Sequence, residues 1–199
     1  MLPWDLSIYG TGTDLYHIVQ WFFIYSILGW VVETIYMSIC EKGFVNRGFI
    51  FGPICPIYGF GALGAYFLLR PFAGNYVVLF LLGSILATTF EYLVAKLMLH
   101  IFGQVWWDYT EKPFNYKGVI CLESSIVWGL YTVILFAFLQ RGVMFLTNLY
   151  SYRIGCLVGG LLMVYYLIDF SVHLCQAKFP GIPKRAREIS RSLLNRSED

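Results

Sequence analysis

Apolar residues run in long stretches along this chain, and polar residues collect in short segments between them. Five stretches stand out: about Leu15 to Cys40, Phe49 to Leu69, Tyr76 to Phe102, Val119 to Leu139 and Ile154 to Cys175. Each exceeds the roughly 20 residues that a helix needs to cross about 30 Å of hydrocarbon. Helices are required because a backbone facing lipid must satisfy its polar groups internally, and no ten-residue alternation suggests a barrel. The pattern predicts an all-α integral membrane protein with five transmembrane helices.

A repeat underlies the pattern. EKGFVNRGFI (Glu41 to Ile50) returns seventy positions later as EKPFNYKGVI (Glu111 to Ile120), with Lys117 in place of Arg47. At the same offset Tyr58-Gly59 answers to Trp128-Gly129. At an offset of 58, Ser26-Ile27-Leu28 and Glu33 answer to Ser84-Ile85-Leu86 and Glu91. The first four helices therefore read as two copies of a helix pair, about residues 15–70 and 76–140, with an extra helix at 154–175 outside the symmetry. Two helices per unit make the copies parallel, with a pseudo-two-fold along the membrane normal. Equivalent residues then lie at similar depth.

Composition supports the membrane reading: 58% of residues are hydrophobic and 13% charged, against roughly 25% charged in soluble domains. Net charge is +2, but six of the 14 Lys and Arg lie in the last 22 residues. Residues 1–177 thus read as the transmembrane domain and 178–199 as a basic cytoplasmic tail, suited to anionic lipid headgroups. A C-terminus inside assigns Lys42, Arg47, Lys112, Lys117 and the tail cations to the cytoplasm, leaving Arg70, Arg141 and Arg153 outside. That asymmetry puts the N-terminus outside. The N-terminal residues lack the charged and apolar regions of a secretory signal peptide, so the first stretch is expected to remain as a helix. No basic face suggests nucleic acid, and the five cysteines form no CxxC and read as apolar packing residues.

Intramembrane charges are the first candidates for function. Glu33 lies roughly 10 Å from the cytoplasmic end of its helix at 1.5 Å per residue, and Glu91 somewhat deeper. Such groups face a bundle interior, pair, or carry a proton. One reading is structural: Glu33 pairs with Arg47 and Glu91 with Lys117, locking each loop to its helix. The other is contact with a substrate or ion. Where the copies differ, Pro53 is replaced by Glu123, beside Ser124 and Ser125. A helix broken by Gly52, Pro53 and Pro56 would free carbonyls, and Glu123 would add a carboxylate, so both could line one polar cavity. The alternative is a proline kink and a helix-start carboxylate favoured by the dipole.

The longer second loop holds GQVWWDYTEKPFN, whose Trp106, Trp107 and Tyr109 suit the membrane interface. Asp108 and Asn115 either cap that loop or bind a ligand. Asp169 and His173 form an i, i+4 pair, too few ligands for a metal site. No phosphate-binding loop, zincin motif or nucleophile elbow is present, so no cofactor and no ATP hydrolysis are expected of this chain.

The motifs GWVVE (Gly29 to Glu33), FVNRGFIFGPICPIYGFGA (Phe44 to Ala62) and WWDYTEKPFNYKGVICLESSIVWG (Trp106 to Gly129) resemble a small bacterial membrane family, the type IV ABC-transporter permeases (CmpB-like). The resemblance carries Glu33, Asn46, Arg47, Pro53, Pro56, Trp107, Asp108, Asn115 and Glu123 as motif positions. It implies a separate ATPase partner subunit. The function expected is a permease-like transport component with a cytoplasm-facing cavity, in which Glu33, Glu91 and Glu123 supply acidic contacts and Arg47 and Lys117 the opposing charge. Protonation of a desolvated glutamate could couple movement to pH. Two other classes stay open. One is a membrane enzyme on a lipid or prenyl-linked substrate, with Asp108 or Glu123 as base. The other is a non-catalytic scaffold whose small-residue faces meet another membrane protein or a second copy of the chain.

Overall fold

In a computed structural model, residues 7–8, 13–48 and 52–178 are described, side chains excepted at 7–8 and 176–178. The basic tail beyond Lys178 lies outside the described residues. The described chain is almost wholly helical: α1 (Leu15–Cys40), α2 (Pro56–Leu69), α3 (Tyr76–Phe102), α4 (Leu122–Ile134), α5 (Gln140–Asn148) and α6 (Tyr152–Lys178). A π-helical turn at Leu135–Leu139 joins α4 to α5, so Leu122–Asn148 forms one continuous span. Four helices are long and apolar enough to cross a membrane: Leu15–Cys40, Tyr76–Phe102, Leu122–Asn148 and Tyr152–Cys175.

Local signals set the helix ends. The Asp14 carboxylate caps α1 by accepting from the His17 backbone N–H at 2.8 Å. Asn75 caps α3 through Val77 and Val78, satisfying donors that have no intrahelical partner. The fourth stretch, expected from Val119, starts its helix at Leu122, because Ile120–Cys121 pairs as a short strand with Asn115–Tyr116. It also runs to Asn148 rather than Leu139.

The second stretch differs most from expectation. Its helix begins only at Pro56 and is 14 residues long, about 21 Å at 1.5 Å per residue. Pro56 takes the first-turn position and disfavours helix at the residue before it. The irregular residues ahead of α2 are satisfied from inside the bundle. The Cys55 N–H donates to the Ser26 carbonyl at 3.0 Å. The Gly52 N–H donates to Asp169 Oδ2 on α6 at 3.3 Å. Ile54 is buried among Val19, Phe22 and Phe23. Non-helical backbone is tolerated at membrane depth only under such cover.

Two helix pairs dominate the packing, α1 with α2 and α3 with α4. Their closest approaches are built alike. A Cβ on Gly59 would lie 2.4 Å from the Ser26 hydroxyl and 2.6 Å from the Phe22 ring. A Cβ on Gly129 would lie 2.1 Å from the Ser84 hydroxyl and 2.8 Å from the Phe80 ring. Both serines donate back to their own helices, Ser26 to the Phe22 carbonyl and Ser84 to the Phe80 carbonyl. Small residues and self-satisfied hydroxyls let apolar helices approach where water supplies no driving force. α1 is the most enclosed span, with 50% of its most apolar window buried, against 17–22% for the other three. The Tyr25 hydroxyl donates to Gln140 Oε1 at 2.5 Å just after the π-helical turn, tying α1 to α5. The outward faces carry exposed Leu, Ile, Val and Phe side chains, as a lipid-facing surface requires.

Gly59→Ala and Gly129→Ala should each destabilise the fold by about 1–3 kcal/mol through overpacking. Gly64→Ala, with nothing within 4 Å of the new Cβ, should leave stability unchanged or raised. Thermal unfolding in detergent checks the contrast.

Candidate functional site

The C-terminal ends of α1 and α3, the start of α2 and Trp128 of α4 surround a common space. The space between them is a cavity of about 960 Å³, bounded also by the 105–119 loop and by Tyr166 and Phe170 of α6. Among the expected residues, Glu33, Arg47, Glu91, Trp107, Asp108 and Lys117 line it; Asn46, Asn115 and Glu123 do not.

The two intramembrane glutamates face this one cavity and are held differently. Glu33 accepts from the Tyr58 hydroxyl at 2.5 Å and lies 3.5 Å from Arg47 Nε. The Arg47 backbone N–H also donates to the Thr34 hydroxyl at 3.3 Å, fixing the loop against α1. Glu91 is only 3% exposed. It accepts from the Tyr109 hydroxyl at 3.0 Å and the Ser124 hydroxyl at 3.3 Å, and Trp128 is a further hydrogen-bonding neighbour. The expected Glu91–Lys117 pair is not among the described ion pairs: Lys117 instead sits over the Tyr116 ring, 5.3 Å from its centroid. The reason is local. The turn of the short strand pair sets Lys117 over Tyr116, and the hydroxyls of Tyr109 and Ser124 occupy Glu91.

Tyr58 and Trp128 meet between the glutamates with ring centroids 5.3 Å apart. They occupy matching positions in the two helix pairs, 58 and 58 + 70 = 128. Each thus contacts the other as well as the glutamate of its own pair.

The other expected residues hold the loops. Glu123 is turned outward, 2.9 Å from Lys112 Nζ, both side chains exposed. Neither Pro53 nor Glu123 lines the cavity, so the shared polar lining expected of these two positions does not form. The irregular turn points to α6 and the first turn of α4 to solvent. Asn46 accepts from Trp30 Nε1 at 2.7 Å and from the Gly48 N–H. Asn115 donates to the carbonyls of Thr110 and Lys112 and accepts from the Gly118 N–H. Trp107 Nε1 donates to the Val119 carbonyl at 2.9 Å. Asp108 accepts from the hydroxyl and backbone N–H of Thr110. These two contacts, the hydroxyl first, hold its carboxyl below the usual range. Asp169, expected to pair with His173, accepts from the Gly52 N–H and has Tyr165 as a hydrogen-bonding neighbour.

Tyr58, Tyr109 and Trp128 are the site residues that charge-based reading passed over. The repeat did contain two of them, as Tyr58-Gly59 and Trp128-Gly129, but as a mark of duplication rather than as carboxylate partners. Tyr109 carried no signal beyond its place in an aromatic loop.

This geometry is that of a multi-pass helical membrane protein, with apolar spans and a cavity lined by one buried carboxylate, Glu91, and one half-buried, Glu33. The chain belongs to the family described as "Putative ABC-transporter type IV", whose model matches residues 20–174. No curated protein and no solved structure matches it.

The Asp108 contacts give a pH prediction. A carboxyl whose folded value is depressed contributes stability that is complete above its ordinary value of about 3.9 and is lost as pH falls through the lower folded value. The protection of the loop amides, relative to their intrinsic exchange rate at each pH, should therefore be flat from neutral pH down to about pH 4 and fall below it. Asp108→Asn should remove that dependence. Loss of protection already near pH 6 would contradict it.

Proposed function

We propose that this protein is a permease-like transport component and that the cavity between the ends of α1 and α3 is its substrate site, open toward the cytoplasm. The observation that carries the reading is that Glu33 and Glu91, equivalent at the 58-residue offset (33 + 58 = 91), line the same cavity. Intramembrane carboxylates facing a cavity mark substrate and ion paths.

Internal duplication is part of the proposal. Units of about 15–70 and 76–140 lie parallel, and the helix after them is an addition. The matched Gly59 and Gly129 contacts and the meeting of Tyr58 with Trp128 at the seam support it, since duplicated membrane folds bind at the junction of their repeats. On this reading α2 and the irregular residues before it make the remaining crossing. The excess of Lys and Arg in the loops after α1 and α3 and in the tail supports a cytoplasmic C-terminus. Glu33, Glu91 and Arg47 contact the cargo, with Trp107, Asp108 and Lys117 at the rim. Glu123, Asn46 and Asn115 act by holding the loops in place. The family name supports a separate ATPase subunit as partner, because this chain has no phosphate-binding loop.

In proteoliposomes, Glu91→Gln should lower flux of a transported substrate by tenfold or more, and Glu33→Gln should lower it less, because Arg47 remains to satisfy the site. Unchanged flux in both variants would remove the glutamates from the transport path.

A further inference from the structure

The charges around the cavity do not cancel in place. Arg47 has Glu33 at 3.5 Å. Lys112, at the cavity wall, has Glu123, which does not line the cavity, at 2.9 Å. Lys117 is exposed over the Tyr116 ring. Among the acids, Asp108 is exposed and satisfied by Thr110. Glu91 differs from all of these: it is 3% exposed and its described partners are neutral donors. Hydroxyls and an indole satisfy lone pairs but bring no positive charge. An ionised carboxylate at this depth needs a cation or a proton. Glu33 lies near enough to add to the negative field at Glu91.

The walls have a matching chemistry. Tyr58, Phe90, Tyr109 and Trp128 stand around or beside Glu91, and Tyr166 and Phe170 close the far side. Aromatic faces attract a desolvated cation within about 6 Å, most strongly where water is excluded. A volume of about 960 Å³ accommodates an organic molecule of drug size, whose sites span roughly 300–1,000 Å³. An anionic amphiphile fits less well, because two of the cations lining the cavity already face carboxylates and Lys117 lies at its exposed rim.

We propose that the cargo is a hydrophobic organic cation, an amine or quaternary ammonium on an aromatic or aliphatic body, with its charged centre held at Glu91 among these rings. The inference rests on the cavity being the substrate site. To reach Glu91 the cation takes the place of the Tyr109 hydroxyl, which the 105–119 loop lends to the carboxylate.

The test is equilibrium binding to purified full-length protein in lipid nanodiscs, read by calorimetry and by the fluorescence of the cavity tryptophans. The probes are tetraphenylphosphonium and tetraphenylborate, which share shape and differ in charge sign. Saturable binding of the cation and not the anion is expected. Glu91→Gln should weaken it about tenfold or more, Glu111→Gln, in the exposed loop, should leave it unchanged, and Tyr109→Phe, which keeps the ring and removes the competing donor, should leave it unchanged or tighten it. Selective binding of the anion would overturn the cation assignment while leaving the cavity as a binding site. Binding of neither probe, or equal binding of the cation by wild type and folded Glu91→Gln, would also overturn it. The cavity reading itself is decided separately by the flux of the glutamate variants. Should Glu91→Gln fail to fold, the comparison of the two probes on wild type and on Tyr109→Phe still decides the matter.

Discussion

A carboxylate held within a membrane protein must find its partner inside the protein, and much of this architecture follows from meeting that demand twice. Glu33 is met by Tyr58 and Arg47, and Glu91 by Tyr109 and Ser124. In each case one donor comes from the helix that packs closest and another from the loop that leads to it. The glutamates therefore bind loops to helices as well as lining the cavity. The same demand explains the start of α2. Its irregular backbone is held by Ser26 and Asp169, because free donors there would face hydrocarbon.

Close helix contact makes these distances reachable. With Gly59 and Gly129 at the points of nearest approach, α2 and α4 sit near enough to α1 and α3 for Tyr58 and Ser124 to reach the glutamates. The cavity lies beyond those points, toward the C-terminal ends of α1 and α3. Tightness in the bundle and space at its end are thus two consequences of one packing arrangement. The two pairs satisfy their glutamates unequally: the first supplies a cation and the second only neutral donors. Two positions that match in the sequence are thus electrostatically unequal, and the proposed preference for positive charge rests on that inequality.

Much of this was legible in the chain. Long apolar stretches located α1 and α3, because uninterrupted lipid-facing helices leave clear patterns. Membership of the family was legible in the GWVVE, FVNRG and WWDY motifs. Helix starts at prolines were less legible: composition could not distinguish an apolar irregular stretch from a helix, so α2 begins later than its apolar run. The site was half legible. Glu33, Glu91 and Arg47 announce themselves as charges in apolar surroundings. Glu123 announced itself equally and faces outward to Lys112, because the side of a helix on which a first-turn residue lies depends on the preceding strand pair. Tyr58, Tyr109 and Trp128 gave no charge signal, and their importance comes only from which carboxylate the fold brings to them.

Thiol labelling of Glu33→Cys and Glu91→Cys, each in a background without the five native cysteines, tests most directly whether the two positions share one cavity. The account predicts that both react with a membrane-impermeant reagent added from the same side, and that a bulky adduct at one slows labelling at the other in the double variant. Reaction from opposite sides, or full independence of the two sites, would contradict a shared cavity.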